Sequence, residues 1–196
     1  MKNNKTRHPP VFASADDWQN NACISQYSGK EVAYLEGYRL AADTLVDHVK
    51  ETGRSQDYLV YPIVFLYRHY FELLLKLIIA DGRELLDNKR GFPTHHRLID
   101  LWNEAKGLTR RTWKTHDPPE MGEVDHVIAE FVKLDPEGES FRYPVKKDGQ
   151  NTLPQIKLIN LRQLSDSLKG VSEFLDGVHS GISGYLDHER QNSGYN

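Results

Sequence analysis

The sequence predicts an all-α fold, a bundle of four to five helices with one short β-hairpin inserted before the C-terminal helix. Three observations lead to this prediction. Apolar residues recur at alternating spacings of 3 and 4 in several segments, as on one face of an amphipathic helix. Residues typical of helix N-termini precede most of these segments. Leu, Ile, Val and Phe make up about a quarter of the 196 residues, which is enough for a packed core.

The length predicts one domain of ordinary size. We expect an N-terminal arm over 1–27, a single helical domain over 28–189, and a flexible tail over 190–196. The net charge is −3 with 27% charged residues, which excludes a constitutively basic nucleic-acid coat and an acidic disordered tail.

The compartment can be predicted from the cysteine content and from the apolar runs. The single cysteine, Cys23, excludes an internal disulfide and a cysteine-rich zinc module, and it suits a reducing environment. The longest uncharged apolar run, Tyr58 to Tyr67, is about half of the ~20 residues that a membrane span needs. We therefore expect a cytoplasmic protein that has no membrane segment.

The first two helices are predicted over 29–52 and over about 57–80. Ser28 and Glu31 have the spacing of a capping box, in which each side chain binds the other residue's backbone N–H. Pro62 predicts either a kink in the second helix or its first position. The apolar face of the first helix consists of Leu35, Tyr38, Ala42, Leu45 and Val49.

The third and fourth helices are predicted from their end signals. Thr94 can cap a helix over 95–106, which Gly107 would stop. Asp117 followed by proline is a strong start signal for the fourth helix, and Asp135-Pro136 would end it.

The hairpin is predicted over about 140–153, because Asp148-Gly149 lies between two short alternating runs. The last helix begins after Asn160 and continues to about residue 187. Glycines interrupt its apolar seam, so either it breaks near Gly177 or the glycines allow a close approach. The seam consists of Leu161, Leu164, Leu168, Val171, Leu175, Val178 and Ile182.

One face of the second helix carries the first group of residues that suggests chemistry. Arg68, Glu72 and Lys76 follow one another at i,i+4, with His69 beside them. On a functional interpretation, Glu72 holds Arg68 so that its remaining donors bind a phosphate, while His69 transfers a proton. The alternative is a solvated face with ordinary helix salt bridges.

Further candidates lie outside this helix. His95 and His96, at a helix start, could provide a neutral imidazole as a base or as a metal ligand, or they could simply cap and pack. Arg142 alternates with Phe141 and Tyr143, as in a nucleic-acid contact or a surface arm. We expect no cofactor. We also expect no metal, because the two acid-x-x-His pairs, Glu123/His126 and Asp176/His179, fall outside the predicted inward faces.

The chain resembles the HEPN superfamily of small helical domains, which is common in bacterial toxin–antitoxin and antiphage systems. The resemblance covers roughly residues 30–134. It rests on Glu72-x-x-x-Lys76 in a central helix, followed by His95-His-Arg-Leu-Ile-Asp-Leu101, which is similar to the second-helix pattern of the family.

The resemblance implies an α-helical bundle that often forms homodimers. In the nuclease members, an Arg-x4–6-His motif from each protomer cleaves RNA without a metal; the Arg stabilises charge on the phosphorane and the His moves the proton. Arg111-x4-His116 (or Arg110-x5-His116) and Arg90-x4-His95 have this spacing here.

Two functions are therefore expected. The first is a metal-independent endoribonuclease in a bacterial defence or toxin–antitoxin system, acting on RNA. Its catalytic residues would be Arg68, His69, Glu72, His95 and His116, and its substrate contacts Arg142, Arg111 and Lys76. The alternative is a non-catalytic, dimerising interaction protein that binds a partner protein through the seam of its last helix.

Overall fold

A computed structural model describes residues 10–24, 30–89, 91–114 and 116–193. Contacts along the chain divide it into two units, Met1–Lys30 and Glu31–Asn196. The first unit contains a short 3₁₀ helix, Trp18–Asn20, beside which the Asn20 amide donates a 2.7 Å hydrogen bond to Asp17. The predicted capping box lies partly outside the described residues, because it begins at Ser28.

The all-α prediction is confirmed. Five α-helices are found in the described part of the chain: α1 (Lys30–Thr52), α2 (Gln56–Asp87), α3 (Leu98–Trp113), α4 (Pro119–Leu134) and α5 (Leu161–Ser193). α2 packs along both α3 and α5, and α4 contacts the same two helices. None of the described helices is both long and apolar enough to cross a membrane.

α2 is the central helix and contributes more fully buried apolar side chains than any other helix in the described part of the chain. It begins at Gln56, so Pro62 lies inside it rather than at its first position. It also continues seven residues past the predicted end. A Cβ added at Gly82 would come within 3.2 Å of Leu108 on α3, so the glycine allows the two helices to approach closely. Its large, fully buried side chains are Ile63, Tyr70, Phe71, Leu74, Leu75, Ile78 and Ile79.

The start of α3 differs from the prediction because of a tertiary contact with α2. The helix begins at Leu98 instead of residue 95, and Arg97 has an extended backbone. The carbonyl of His96 accepts a 3.2 Å hydrogen bond from Arg68 on α2, which holds this segment outside the helix. A local capping signal at Thr94 is therefore overruled by a buried donor on another helix.

α4 starts one residue later than predicted and ends where expected. Pro118 precedes the first helical residue, Pro119, while the Asp117 carboxylate binds Arg110 at 2.7 Å instead of capping the helix. Asp135 ends the helix, and its backbone N–H donates to Phe131 at 2.7 Å.

α5 is continuous across Gly177 and extends to Ser193. The Asn160 side chain accepts a 2.9 Å hydrogen bond from the Gln163 N–H, which confirms the predicted N-cap. Gly181 faces the Trp113 ring, where an added Cβ would come within 2.7 Å. Most of the seam is buried in the core of the chain: Leu161, Leu168, Val171, Leu175, Val178 and Ile182.

The predicted hairpin over 140–153 is wrong. Among the described residues there is no strand, and the segment contains one isolated antiparallel bridge between Val145 and Asn151. Pro144 and Pro154 bound the segment, and proline has no N–H with which to extend a ladder. The segment is a turn closed by a 2.8 Å hydrogen bond from the Lys146 N–H to Gln150.

Candidate functional site

The charged stripe of α2 (Arg68, Glu72 and Lys76) is buried, although its i,i+4 spacing resembles that of a solvated face. The three residues are 3%, 3% and 8% exposed. Glu72 lies between the two cations, with Oε1 2.9 Å from Lys76 Nζ and Oε2 3.3 Å from Arg68 Nη1. Charges buried to this extent need compensating partners, and here the central carboxylate serves both neighbours.

Arg68 joins α2 to the two segments on either side of it. Its Nη2 donates to the backbone carbonyl of His96 at 3.2 Å, just before α3. Its Nε lies 3.4 Å from Asp135 Oδ2 at the end of α4, and Asp135 is 2% exposed. The other oxygen of Asp135 accepts a 2.8 Å hydrogen bond from the Ser140 N–H. Arg68 therefore fixes both the segment that carries His96 and the loop that follows α4.

His96 connects this buried network to solvent. Its Nδ1 lies 2.6 Å from Oε1 of Glu72, while its side chain is 69% exposed. An ionised carboxylate can only accept, so Nδ1 donates this short hydrogen bond, and whenever the ring is neutral Nε2 carries its lone pair. Lys76 Nζ lies 3.4 Å from the same nitrogen. This distance is longer than the 2.6 Å between Nδ1 and Glu72, so the carboxylate is the hydrogen-bond partner of Nδ1.

The electrostatics of Glu72 favour its ionised form. Burial alone would raise the pKa of Glu72, but hydrogen bonds from Lys76 and His96 outweigh burial, so the pKa lies below its ordinary value. Glu72 is thus a fixed negative charge under the imidazole. Such a charge sets the tautomer and the orientation of the ring, and it stabilises the protonated ring once a proton arrives.

His69, the proton-transfer residue expected from sequence, lies in a different environment. Its ring packs edge-on against Tyr38 at 4.4 Å between centroids and is stacked on Phe65 at 5.8 Å. Burial is the main cause that lowers the pKa of His69. The ring is half-buried between two aromatic side chains, so its contacts are those of a packing residue.

The structure does not bring the other predicted residues to the Glu72–His96 pair. His116 is exposed in the segment that connects α3 to α4. Arg111 forms a surface ion pair with Asp87 at 2.6 Å. His95 is partly buried next to His96, and its Nδ1 has no hydrogen-bond partner among the described residues. Arg142 lies over the ring of Phe65, with its Cζ 5.9 Å from the ring centroid. Phe65 is on α2, about one turn before Arg68.

Nothing in the described part of the chain forms a group of three or more His, Cys, Asp or Glu side chains that could hold a metal ion. Of the two acid-x-x-His pairs, His126 is exposed, and His179 lies 3.2 Å from Asp81.

Two residues of the site were missed by the sequence-based assignment. His96 was recognised only as one of two neighbouring histidines, and no local pattern shows which of them faces Glu72. Asp135 was interpreted only as a helix terminator, because Asp-Pro is a common end signal. One hint was available in the sequence. The stripe has two cations, Arg68 and Lys76, but one anion, Glu72, so if it is buried it needs a second carboxylate such as Asp135.

Comparison of the chain with models of protein families, with curated proteins and with solved structures finds no match.

Proposed function

We propose that the protein is a metal-independent endoribonuclease in which His96, oriented by Glu72, is the general base. The observation that carries the proposal is the 2.6 Å contact between Nδ1 of an exposed imidazole and a buried carboxylate. This arrangement leaves Nε2 free to accept a proton from a substrate. The proposal therefore gives His96 the role that the sequence had suggested for His69.

RNA suits a site of this kind because it carries its own nucleophile beside each phosphodiester. His96 Nε2 takes the proton of the 2′-hydroxyl, the 2′-oxygen forms a bond to phosphorus, and the bond from phosphorus to the 5′-oxygen breaks. The leaving oxygen takes a proton from solvent, and His96 later returns its own proton to water. The products are a 2′,3′-cyclic phosphate and a 5′-hydroxyl, and the balance requires neither a metal nor an oxidant.

The remaining charged residues of the network position the base. Arg68 holds the His96 backbone through its carbonyl, and Lys76 keeps Glu72 ionised. The resemblance to HEPN domains supports RNA as the substrate and a defence or toxin–antitoxin role. The alternative is a dimerising interaction protein that would use the apolar seam of α5 as its interface. Most of that seam is buried within the chain itself, so it does not support this alternative.

The test is cleavage of a labelled RNA by the purified full chain, with and without EDTA, followed by analysis of the product ends. We expect cleavage that resists EDTA, leaves 2′,3′-cyclic phosphate ends and is lost in His96→Ala. His126→Ala is the matched control, since His126 is an exposed histidine on α4. Absence of cleavage by the wild-type protein, or full activity of His96→Ala, would contradict the proposal.

A further inference from the structure

About two turns of α2 before Glu72, a guanidinium and two aromatic rings form a layered surface. The Cζ atom of Arg142 is 5.9 Å from the centroid of the Phe65 ring and 5.1 Å from that of Tyr143. Phe65 in turn stacks on His69 with an interplanar angle of 11°. We call Arg142, Tyr143 and Phe65 the aromatic platform.

The platform is open to solvent and carries a cation that is not neutralised. Arg142 is exposed, and Tyr143 is 53% exposed. No carboxylate among the residues that the structure describes forms an ion pair with Arg142, whereas Arg110 and Arg111 are each bound by an aspartate. Its guanidinium therefore keeps donors that an outside anion could use.

The platform lies on the same side of α2 as the catalytic pair. Phe65 and Glu72 are seven residues apart, which places them on one face of the helix, separated by about 10 Å at ~1.5 Å per residue. Arg68 lies between them and binds both flanking segments, the one carrying His96 and the loop that leads to Arg142. The segment that carries His96 and the segment that carries Arg142 therefore pack against the same stretch of α2.

A cavity beside Tyr143 gives room for a base. It measures about 840 Å³ and is lined in part by Lys146, Lys147, Glu137 and Glu139. Because both signs of charge line it, the cavity offers donors and acceptors to the edge of a base rather than a site for a bare phosphate.

We infer that the platform binds a nucleotide of single-stranded RNA next to the phosphodiester at His96, with Tyr143 stacked on the base and Arg142 on the phosphate. The inference rests on the proposed function and adds to it the class of substrate. A base must be unpaired to present its face to an aromatic ring, so the platform selects single strands over duplexes.

The test is fluorescence anisotropy of a labelled single-stranded oligoribonucleotide, with every protein carrying His96→Ala so that the RNA stays intact. We expect Arg142→Ala and Tyr143→Ala to bind roughly 5- to 100-fold more weakly, as for the loss of one stacked base. Tyr143→Phe should bind like the parent because it retains the ring. Arg162→Ala and Tyr58→Ala are the controls, an exposed arginine and an exposed tyrosine elsewhere.

The binding measurement separates this inference from the proposed catalysis. Loss of binding in both platform variants but not in the controls, with weaker binding of a duplex, supports the platform whether or not the wild-type protein cleaves RNA. Equal binding by platform variants and controls, equal binding of duplex and single strand, or no binding by the parent would overturn it. Circular dichroism of each variant verifies that the helices are intact.

Discussion

Gly138 lies directly against the guanidinium of Arg68, so that a Cβ added to the glycine would come within 2.6 Å of Nη1. Its backbone has φ +79°, in the left-handed region that side chains disfavour. The loop after α4 therefore closes over the buried arginine at a position where only glycine fits, which links the loop to the charged stripe.

Gly138→Ala should destabilise the protein by more than backbone strain alone explains. Gly149 provides the comparison, because it has φ +82° but nothing within 4 Å of an added Cβ. We expect Gly149→Ala to cost about 1–2 kcal/mol of unfolding free energy, and Gly138→Ala to cost clearly more. Urea denaturation of both variants measures this difference; equal losses would show that the contact with Arg68 is unimportant.

Glu72→Gln should be strongly destabilising, because it leaves Arg68 and Lys76 buried without their shared carboxylate. The expected loss of unfolding free energy is about 3–5 kcal/mol. Glu104→Gln is the control: its ion pair with Arg83 is about a third exposed, so we expect a loss below about 1 kcal/mol.

The same variant should change how stability depends on pH. The pKa of Glu72 is lower in the folded protein, so its contribution to stability is complete above the ordinary carboxyl pKa of about 4.3. The contribution is lost as the pH falls from there through the folded pKa. Wild type should therefore lose more stability than Glu72→Gln in this acid range; parallel curves for the two proteins would argue against an ionised Glu72.

His69→Phe should reduce the loss of stability on mild acidification. Burial lowers the pKa of His69, so below the ordinary value of about 6.5 the unfolded chain binds the proton more readily than the folded one. The wild type is consequently destabilised as the pH falls below that value. Phenylalanine keeps a ring between Tyr38 and Phe65 without titrating, so thermal melts from pH 7 to 5 should decline less steeply in the variant.

Two glycines of α5 should respond in opposite ways to alanine. Gly177 has nothing within 4 Å of an added Cβ, so Gly177→Ala should stabilise the protein by up to about 1 kcal/mol through helix propensity. At Gly181 an added Cβ would come within 2.7 Å of the Trp113 ring, so Gly181→Ala should destabilise. Thermal melts of the two variants test the pair, and a shift of the same sign in both would refute the contact with Trp113.

The helices could be predicted from the sequence because their apolar periodicity and several of their ends are local properties. The Asn160 cap and the end of α4 at Asp135 are both found. The start of α3 was missed because Arg68, 28 residues earlier in the chain, captures the His96 carbonyl. The hairpin was missed because Asp-Gly signals a turn, but flanking prolines decide whether strands can grow from it.

The site was predictable only in part. The spacing of Arg68, Glu72 and Lys76 placed them on one face, and the structure places them together. Spacing could not show that this face is buried, because burial depends on what the chain packs over it. For the same reason it could not identify the residue that reaches Glu72 from outside, His96.

The most direct test of the central claim compares four alanine variants, at His96, His69, His95 and His116, in one EDTA-resistant RNA cleavage assay. Each variant is first shown to be folded by its melting transition. We predict that, among correctly folded variants, His96→Ala alone abolishes cleavage. Undiminished cleavage by His96→Ala, or a loss that follows another histidine, would contradict it.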